Sequence, residues 1–406
     1  MINLRYCNPC MFFVAVTAMF DSHISSQSGK QTKSVLNWLH VAKGLTILSW
    51  LGTLQVLWAT LRVGGHKWLQ ADWLINLTSG PVRRGPFGTV LLTLADTSGI
   101  APIWVVGLLQ AIVVSSLFLC TLRLLSLQKH EAMAVAVFSA GFFAVLWTAD
   151  AMAGLRKEMI ALLAIVLLGL PGRGSGRLLL SAILIACAAW AHEAMVLLLP
   201  AWIAVLVLIP SRVPARVTIA VAVITSAMVF AAALYALRHP GLEDTAQICG
   251  AVTRYAVVHP VFCDGAIAWL AKEGAGFEAV RYALSVSVNL WFLPIAIVVA
   301  FAPLIHLCIL GRADRRLIML LVAAVLPIFL LFPIAIDWGR WISLQVSVIT
   351  FLLLSLSAAG KFRPAPPRRQ AVYLFWLITS LTIGLTAIPE PQPFAIFIRL
   401  VKGFEI

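Results

Sequence analysis

Long apolar runs that lack the strict alternation of a half-buried strand constrain this chain more than any other feature. Ile160 to Leu170 and Leu317 to Ile336 are examples. In lipid, only helices and closed barrels satisfy their own backbone hydrogen bonds, and a helix needs roughly 20 apolar residues to cross a core about 30 Å thick. Composition agrees: 61% of the 406 residues are hydrophobic and 11% charged, against about 25% charged in soluble domains. A water-soluble multidomain protein is excluded. The expectation is an all-α polytopic integral membrane helix bundle of about 11 transmembrane helices. They are placed near 44–62, 101–120, 132–150, 157–171, 178–191, 194–210, 217–237, 284–310, 317–336, 341–359 and 371–388.

The chain carries 30 Lys and Arg against 16 Asp and Glu, a formal net charge of +14. Nucleic-acid binding would require basic side chains gathered on one solvated face. Here they gather in short connections instead: Arg123 and Lys129, Arg173 and Arg177, Arg212 and Arg216, Arg312 to Arg316, and Lys361 to Arg369. The positive-inside rule makes those loops cytoplasmic. With Arg5, Lys30, Lys33 and Lys43, the cytoplasmic side then holds 17 basic residues and three acids, and the outer side 13 of each. The excess charge is an orientation signal, not a polyanion-binding surface. An odd number of spans puts the N-terminus inside and the C-terminus outside.

Residues 1–43 are expected to form a cytoplasmic N-terminal tail, because the apolar stretch Cys10–Phe20 is too short to span. That tail could lie at the membrane interface. The transmembrane domain is expected to cover 44–388, with outer loops at 63–100 and 238–283, followed by a periplasmic tail at 389–406. Cys249 and Cys263 share the second outer loop, where an oxidising compartment permits a disulfide. Cys7 and Cys10 have no second pair, which argues against a metal or redox site.

Four outer segments hold polar groups that a plain membrane bundle does not need. The first combines Asp72 with Gly80-Pro81-Val82-Arg83-Arg84-Gly85-Pro86, a turn-rich loop whose Gly and Pro hold paired guanidiniums in place. Arginine suits bidentate contact with phosphate oxygens, although an interfacial anchor beside anionic headgroups is the plainer explanation. The second is Asp150 and Arg156-Lys157-Glu158, at the entrance of a short span. The third is His192-Glu193, between two spans. Short spans place Arg156 and His192 below the outer surface, in protein rather than lipid, since ionisable groups at depth need a partner or a cavity. The fourth is Asp337-Trp338-Gly339-Arg340-Trp341, a tight outer turn. Its tryptophans fit an interfacial aromatic belt, which leaves Asp337 and Arg340 to a functional role or to a structural ion pair bordering the site. Asn76-Leu77-Thr78 matches a glycosylation sequon, a weak signal.

Together these segments describe an outer cavity with several arginines, one histidine and carboxylates. H-E-x-x-H, Asp-x-Asp and Walker patterns are lacking, so the sequence points to no metal, nucleotide or other cofactor. Such a pocket suits transfer from a pyrophosphate-linked, membrane-embedded donor. Guanidiniums would neutralise charge on the leaving pyrophosphate, and His192 or a carboxylate such as Glu193 would take the acceptor hydroxyl proton.

The run Arg156-Lys157-Glu158-Met159-Ile160-Ala161, a span, the basic loop Arg173 to Arg177, a second span and Ala191-His192-Glu193-Ala194 resembles the core of the EpsG/Wzy-type bacterial polysaccharide polymerases. The Arg83-Arg84-Gly85 and Asp337-Trp338-Gly339-Arg340 turns are similar to motifs in related envelope-glycan membrane proteins. The close match covers about 40 of the 406 residues. The resemblance implies a multi-pass bacterial inner-membrane enzyme with a glycosyltransferase-C-like bundle. It would join undecaprenyl-diphosphate-linked oligosaccharide units at the periplasmic face, with a chain-length regulator as a candidate partner. It places Arg156 on the diphosphate and His192 at the acceptor or donor end. With it, catalysis is expected from His192, Glu193 and Arg156, and substrate binding from Arg83, Arg84, Lys157, Asp337, Arg340 and Asp72. The competing expectations are a polyprenyl-phosphate-sugar-dependent membrane glycosyltransferase, which an isolated Asp72 counts against, and a lipid-linked oligosaccharide flippase or other transporter.

Overall fold

The computed structural model describes residues 37–146, 150, 153–272, 275–367, 369–383 and 385. Both expected tails and the Cys7/Cys10 pair lie largely or wholly outside them. The described residues form no strand beyond an isolated Arg173–Ser211 bridge, and every regular element among them is a helix. In chain order they form α1 (Trp38–Arg62), α2 (Gln70–Trp73), α3 (Gly85–Ser98), α4 (Pro102–Ser126), α5 (Ala134–Val137), α6 (Phe143–Leu146), α7 (Glu158–Gly169) and α8 (Ser175–Ala191). These are followed by α9 (Leu199–Leu208), α10 (Ala215–Arg238), α11 (Ala246–Thr253), α12 (Ala275–Ser285), α13 (Ser287–Leu310), α14 (Arg315–Val325), α15 (Trp338–Ala358) and α16 (Ala371–Thr382).

The expected count of eleven spans is not supported. Among the described residues, five helices are long and apolar enough to cross a membrane: α1, α4, α10, the Trp291–Leu310 part of α13, and α15. The chain is a multi-pass membrane protein with five candidate spans. Four further apolar helices are shorter, at Glu158–Gly169, Ser175–Ala191, Glu193–Leu208 and Ala371–Thr382. At 1.5 Å per residue, the 12 residues of α7 reach only about 18 Å.

The expected span at 132–150 shows why apolar runs break. It folds as a 3₁₀ turn at Glu131–Met133, then α5, an irregular stretch, and α6. Non-helical backbone at depth is tolerated where protein rather than lipid surrounds it, and here α15 and α13 supply the partners. Ser347 Oγ accepts the Phe143 N–H at 2.9 Å, and Ser139 Oγ donates to the Ala300 carbonyl at 2.6 Å. Gly141 leaves room for Val346, whose Cγ2 would lie 2.9 Å from an added Cβ. Likewise, the expected spans at 194–210 and 317–336 begin or end in 3₁₀ turns, at Glu193–Leu198 and Leu326–Leu331.

Helix α15 is the core: 94% of its most apolar window is buried. Its buried Ser343, Gln345, Ser347, Thr350, Ser355 and Ser357 are small or hydrogen-bonding residues of the kind that let membrane helices pack closely. Around it, α7 packs against α8, α4 and α15, and α8 packs against α10 and α3. Helix α10 buries only 17% of its window and presents Ile219, Val223, Ile224 and Phe230 outward, an apolar face of the kind lipid covers.

The basic connections meet at one end of the bundle. Arg173 bridges Ser211, Lys361 Nζ donates to the Leu208 carbonyl at 2.8 Å, and the Ala365 N–H donates to the Leu310 carbonyl at 3.1 Å. At the other end, Cys249 and Cys263 are disulfide-bonded. The segment they staple docks on the loop after α1, where the His259 and Ala266 N–H groups donate to the Gly64 and Lys67 carbonyls, each at 2.9 Å.

Candidate active site

The four polar segments converge. Arg84 caps α3 in the left-handed region (φ 67°), which is disfavoured for a residue with a Cβ and costs on the order of 1 kcal/mol. Its guanidinium is held on three sides. Nε and Nη2 donate to Glu193 Oε2 and Oε1, each at 2.7 Å, and Nη1 donates to Asp72 Oδ1 at 2.9 Å. The close seating of α3 follows from Gly88, where an added Cβ would lie 1.8 Å from the Ile75 carbonyl oxygen. That contact presses α3 onto the segment that carries Asp72.

Arg83 is held differently. Its backbone N–H donates to the His239 carbonyl at 2.7 Å, which ties it to the end of α10. Its side chain is 30% exposed, lies 3.5 Å from Glu193 Oε1, and leaves its buried Nε–H without an acceptor.

Lys157, immediately before α7, is fully buried. Nζ donates to the Ala191 carbonyl at 2.9 Å and lies 3.5 Å from Asp72 Oδ2, linking the start of α7 to the end of α8. Burial pushes the Lys157 ammonium down to about 8, against the pull of Asp72. Burial also works against ionisation of Asp72, but Lys157 and Arg84 outweigh it and hold that carboxyl well below the usual range.

His192 ends α8 with an extended backbone, and its Nδ1 accepts the Ala194 N–H at 3.2 Å, capping the following turn. A ring nitrogen that accepts a backbone N–H carries no proton, so the neutral imidazole carries its own on Nε2. Burial first, and Arg84 second, push this imidazole down to about 4. The ring is therefore neutral at physiological pH.

The second half of the site lies against α15. Asp337 Oδ2 accepts from Arg340 Nη1 at 2.5 Å, and Arg340 Nη2 pairs with Glu158 Oε1. Arg340 also lies over the Trp341 ring, 5.2 Å from its centroid, and that ring meets His192 edge-on at 6.4 Å. Trp338 and Trp341 are buried at 1% and 2% exposure, which overturns the expected interfacial belt. Trp341 packs against Arg340 and His192, and Trp338 Nε1 donates to the Phe332 carbonyl at 2.8 Å. Arg156 Nη1 donates to the Trp68 carbonyl at 3.0 Å. Arg156, Glu158, Arg340 and Ser343 line a cavity of about 20 Å³, room for about one water molecule. The Nε–H of Arg156, the Nε–H of Arg340 and Oε2 of Glu158 are buried without partners.

All nine expected site residues thus fall in one connected cluster, joined through the consecutive Arg156, Lys157 and Glu158. Glu158 belongs to it as the partner of Arg340. Its place in the Arg-Lys-Glu run is visible in the sequence, but its partner 182 residues away is not. The Trp68 carbonyl leaves no sequence signal at all. Asn76 of the sequon is buried and donates to the Leu74 carbonyl at 3.0 Å, so it is not a surface acceptor.

No protein-family model, curated protein or solved structure matches this chain. Its function therefore has to be read from its own residues.

Proposed function

We propose that this protein is a bacterial inner-membrane polysaccharide polymerase that joins undecaprenyl-diphosphate-linked oligosaccharide units at the periplasmic face. The observation that carries the reading is the set of buried guanidinium N–H groups without acceptors at Arg83, Arg156 and Arg340. An unpaired buried donor costs about 1–3 kcal/mol, and such groups are explained when a ligand supplies the missing oxygens. Several fixed guanidiniums gathered below a membrane surface suit a diphosphate that gains charge as it leaves. Asp337 and Glu158 already orient Arg340, and Glu193 and Asp72 orient Arg84.

In this mechanism the acceptor sugar hydroxyl forms the new bond to the anomeric carbon. The bond from that carbon to the diphosphate oxygen breaks, and its electron pair leaves with the lipid diphosphate. His192 donates a hydrogen bond from Nε2–H to the leaving oxygen. The hydroxyl proton passes to Glu193. That carboxylate is a weak base while Arg84 grips both of its oxygens. An arriving diphosphate that draws Arg83, 3.5 Å from Glu193 Oε1, away from that carboxylate removes one of the cations that suppress its basicity.

The test is surface-glycan length in a deletion strain complemented with Arg156→Ala or His192→Ala. At wild-type protein levels, both variants should collapse the ladder to single repeat units. Normal ladders in both would sink the assignment.

A further inference from the structure

Beside the charged cluster, three helices leave an open groove of about 360 Å³, within the ~300–1,000 Å³ of small-ligand sites. Its walls are almost entirely apolar: Phe87 and Val90 of α3, Leu179, Ile183 and Trp190 of α8, and Met228 of α10. The lining of α8 runs from Leu179 to Trp190, about 16 Å along the helix axis. Ala182 and Ala186 form its floor, where larger side chains would fill it. The rim faces outward, with Leu179, Ile183, Ile224 and Met228 about half exposed or more.

The groove ends at the charged cluster. Phe87 lies three residues after Arg84, and Trp190 two residues before His192. Arg83 stands at that end, fixed by its backbone to His239 beyond α10. Unlike Arg84, which is fully engaged by Glu193 and Asp72, it has an unspent Nε–H and a partly exposed side chain. An apolar channel open along its length, closed by a cation with free donor capacity, complements a single long hydrocarbon chain with an anionic head.

We infer that this groove holds the polyprenyl chain of the diphosphate-linked substrate, with Arg83 rather than Arg84 meeting its diphosphate. This rests on the polymerase reading for the identity of the chain, while the groove and its cation stand on geometry alone. One narrow channel favours a single isoprenoid chain over a two-chain phospholipid.

The test uses the full-length protein in phosphatidylcholine vesicles with a diazirine-bearing polyprenyl diphosphate as probe, and labelled residues are mapped by mass spectrometry. Label should fall on the groove walls of α8 and α10 and be displaced by unlabelled polyprenyl diphosphate but not by phosphatidylglycerol. Ile183→Trp and Met228→Trp, both at outward-facing positions, should fill the channel and cut labelling about tenfold or more. Arg83→Ala should weaken capture of the diphosphate but not of the matching polyprenol. Label spread evenly over lipid-facing helices, unchanged in the filled variants, or displaced equally by phosphatidylglycerol would overturn the proposal. The two readings separate cleanly. Groove labelling that falls in Ile183→Trp while the glycan ladder stays normal in Arg156→Ala and His192→Ala leaves the site standing and removes the polymerase. A ladder lost in Arg156→Ala without groove labelling does the reverse.

Discussion

Lys157→Met is the most informative single perturbation, because Lys157 is fully buried and holds two elements together through one ammonium. Removing one member of a buried ion pair costs about 3–5 kcal/mol, since the other charge is left without compensation. Two features reduce that figure here. Met fills most of the volume that the lysine stem occupied, and Arg84 Nη1 remains 2.9 Å from Asp72 Oδ1. The expected loss is therefore about 2–4 kcal/mol, including the freed Ala191 carbonyl. Adding Asp72→Asn removes the orphaned charge while keeping an oxygen for Arg84. The double variant should then be more stable than the sum of the single losses implies, by about 1–3 kcal/mol. Denaturant unfolding in detergent micelles, followed by tryptophan fluorescence, measures all four corners of the cycle. A Lys157→Met protein as stable as wild type, or strictly additive losses, would refute a buried pair at this position.

Two other perturbations probe the same site. His192 is pushed down to about 4 in the folded protein from an ordinary value of about 6.5, so the unfolded chain binds the proton first as pH falls. Stability should drop between about pH 6.5 and 4 and level off below that, by about 3 kcal/mol from this group. His192→Asn keeps a capping acceptor and should lose that increment, which comparison of the two unfolding profiles checks; parallel profiles would show that His192 titrates normally. Gly88→Ala would place a Cβ against the Ile75 backbone, which cannot give way as a side chain can. It should lower stability by about 1–3 kcal/mol and lower the proposed glycan polymerisation as well, because α3 carries Arg84 at its start. An unchanged melting temperature would mean that α3 is not seated on the 73–75 segment.

Much of the candidate site is legible in the order of the amino acids, for a physical reason. Charge in an apolar chain is costly enough that each retained group marks either a solvated loop or a partner. Arg83-Arg84, Arg156-Lys157, His192-Glu193 and Asp337 to Arg340 stand out against their apolar surroundings, and all four meet. Who pairs with whom is not legible there. Arg84 takes Glu193 and Asp72, whereas Glu158 takes Arg340. Those choices depend on which helix ends the bundle brings together.

Residue identity alone dictates a helical, membrane-spanning chain. It also separates the basic connections from the mixed-charge polar segments, because hydropathy and charge are properties of residues one at a time. Which apolar runs remain whole is settled by packing. The run at 132–150 breaks because Ser347, Ala300 and Val346 offer it partners and space that lipid could not. The tryptophans of 338–341 turn inward, rather than to the interface, for a related reason: Trp341 has Arg340 and His192 to pack against. An apolar residue reads the same in sequence whether it faces lipid or protein, and only its neighbours in the folded bundle distinguish the two.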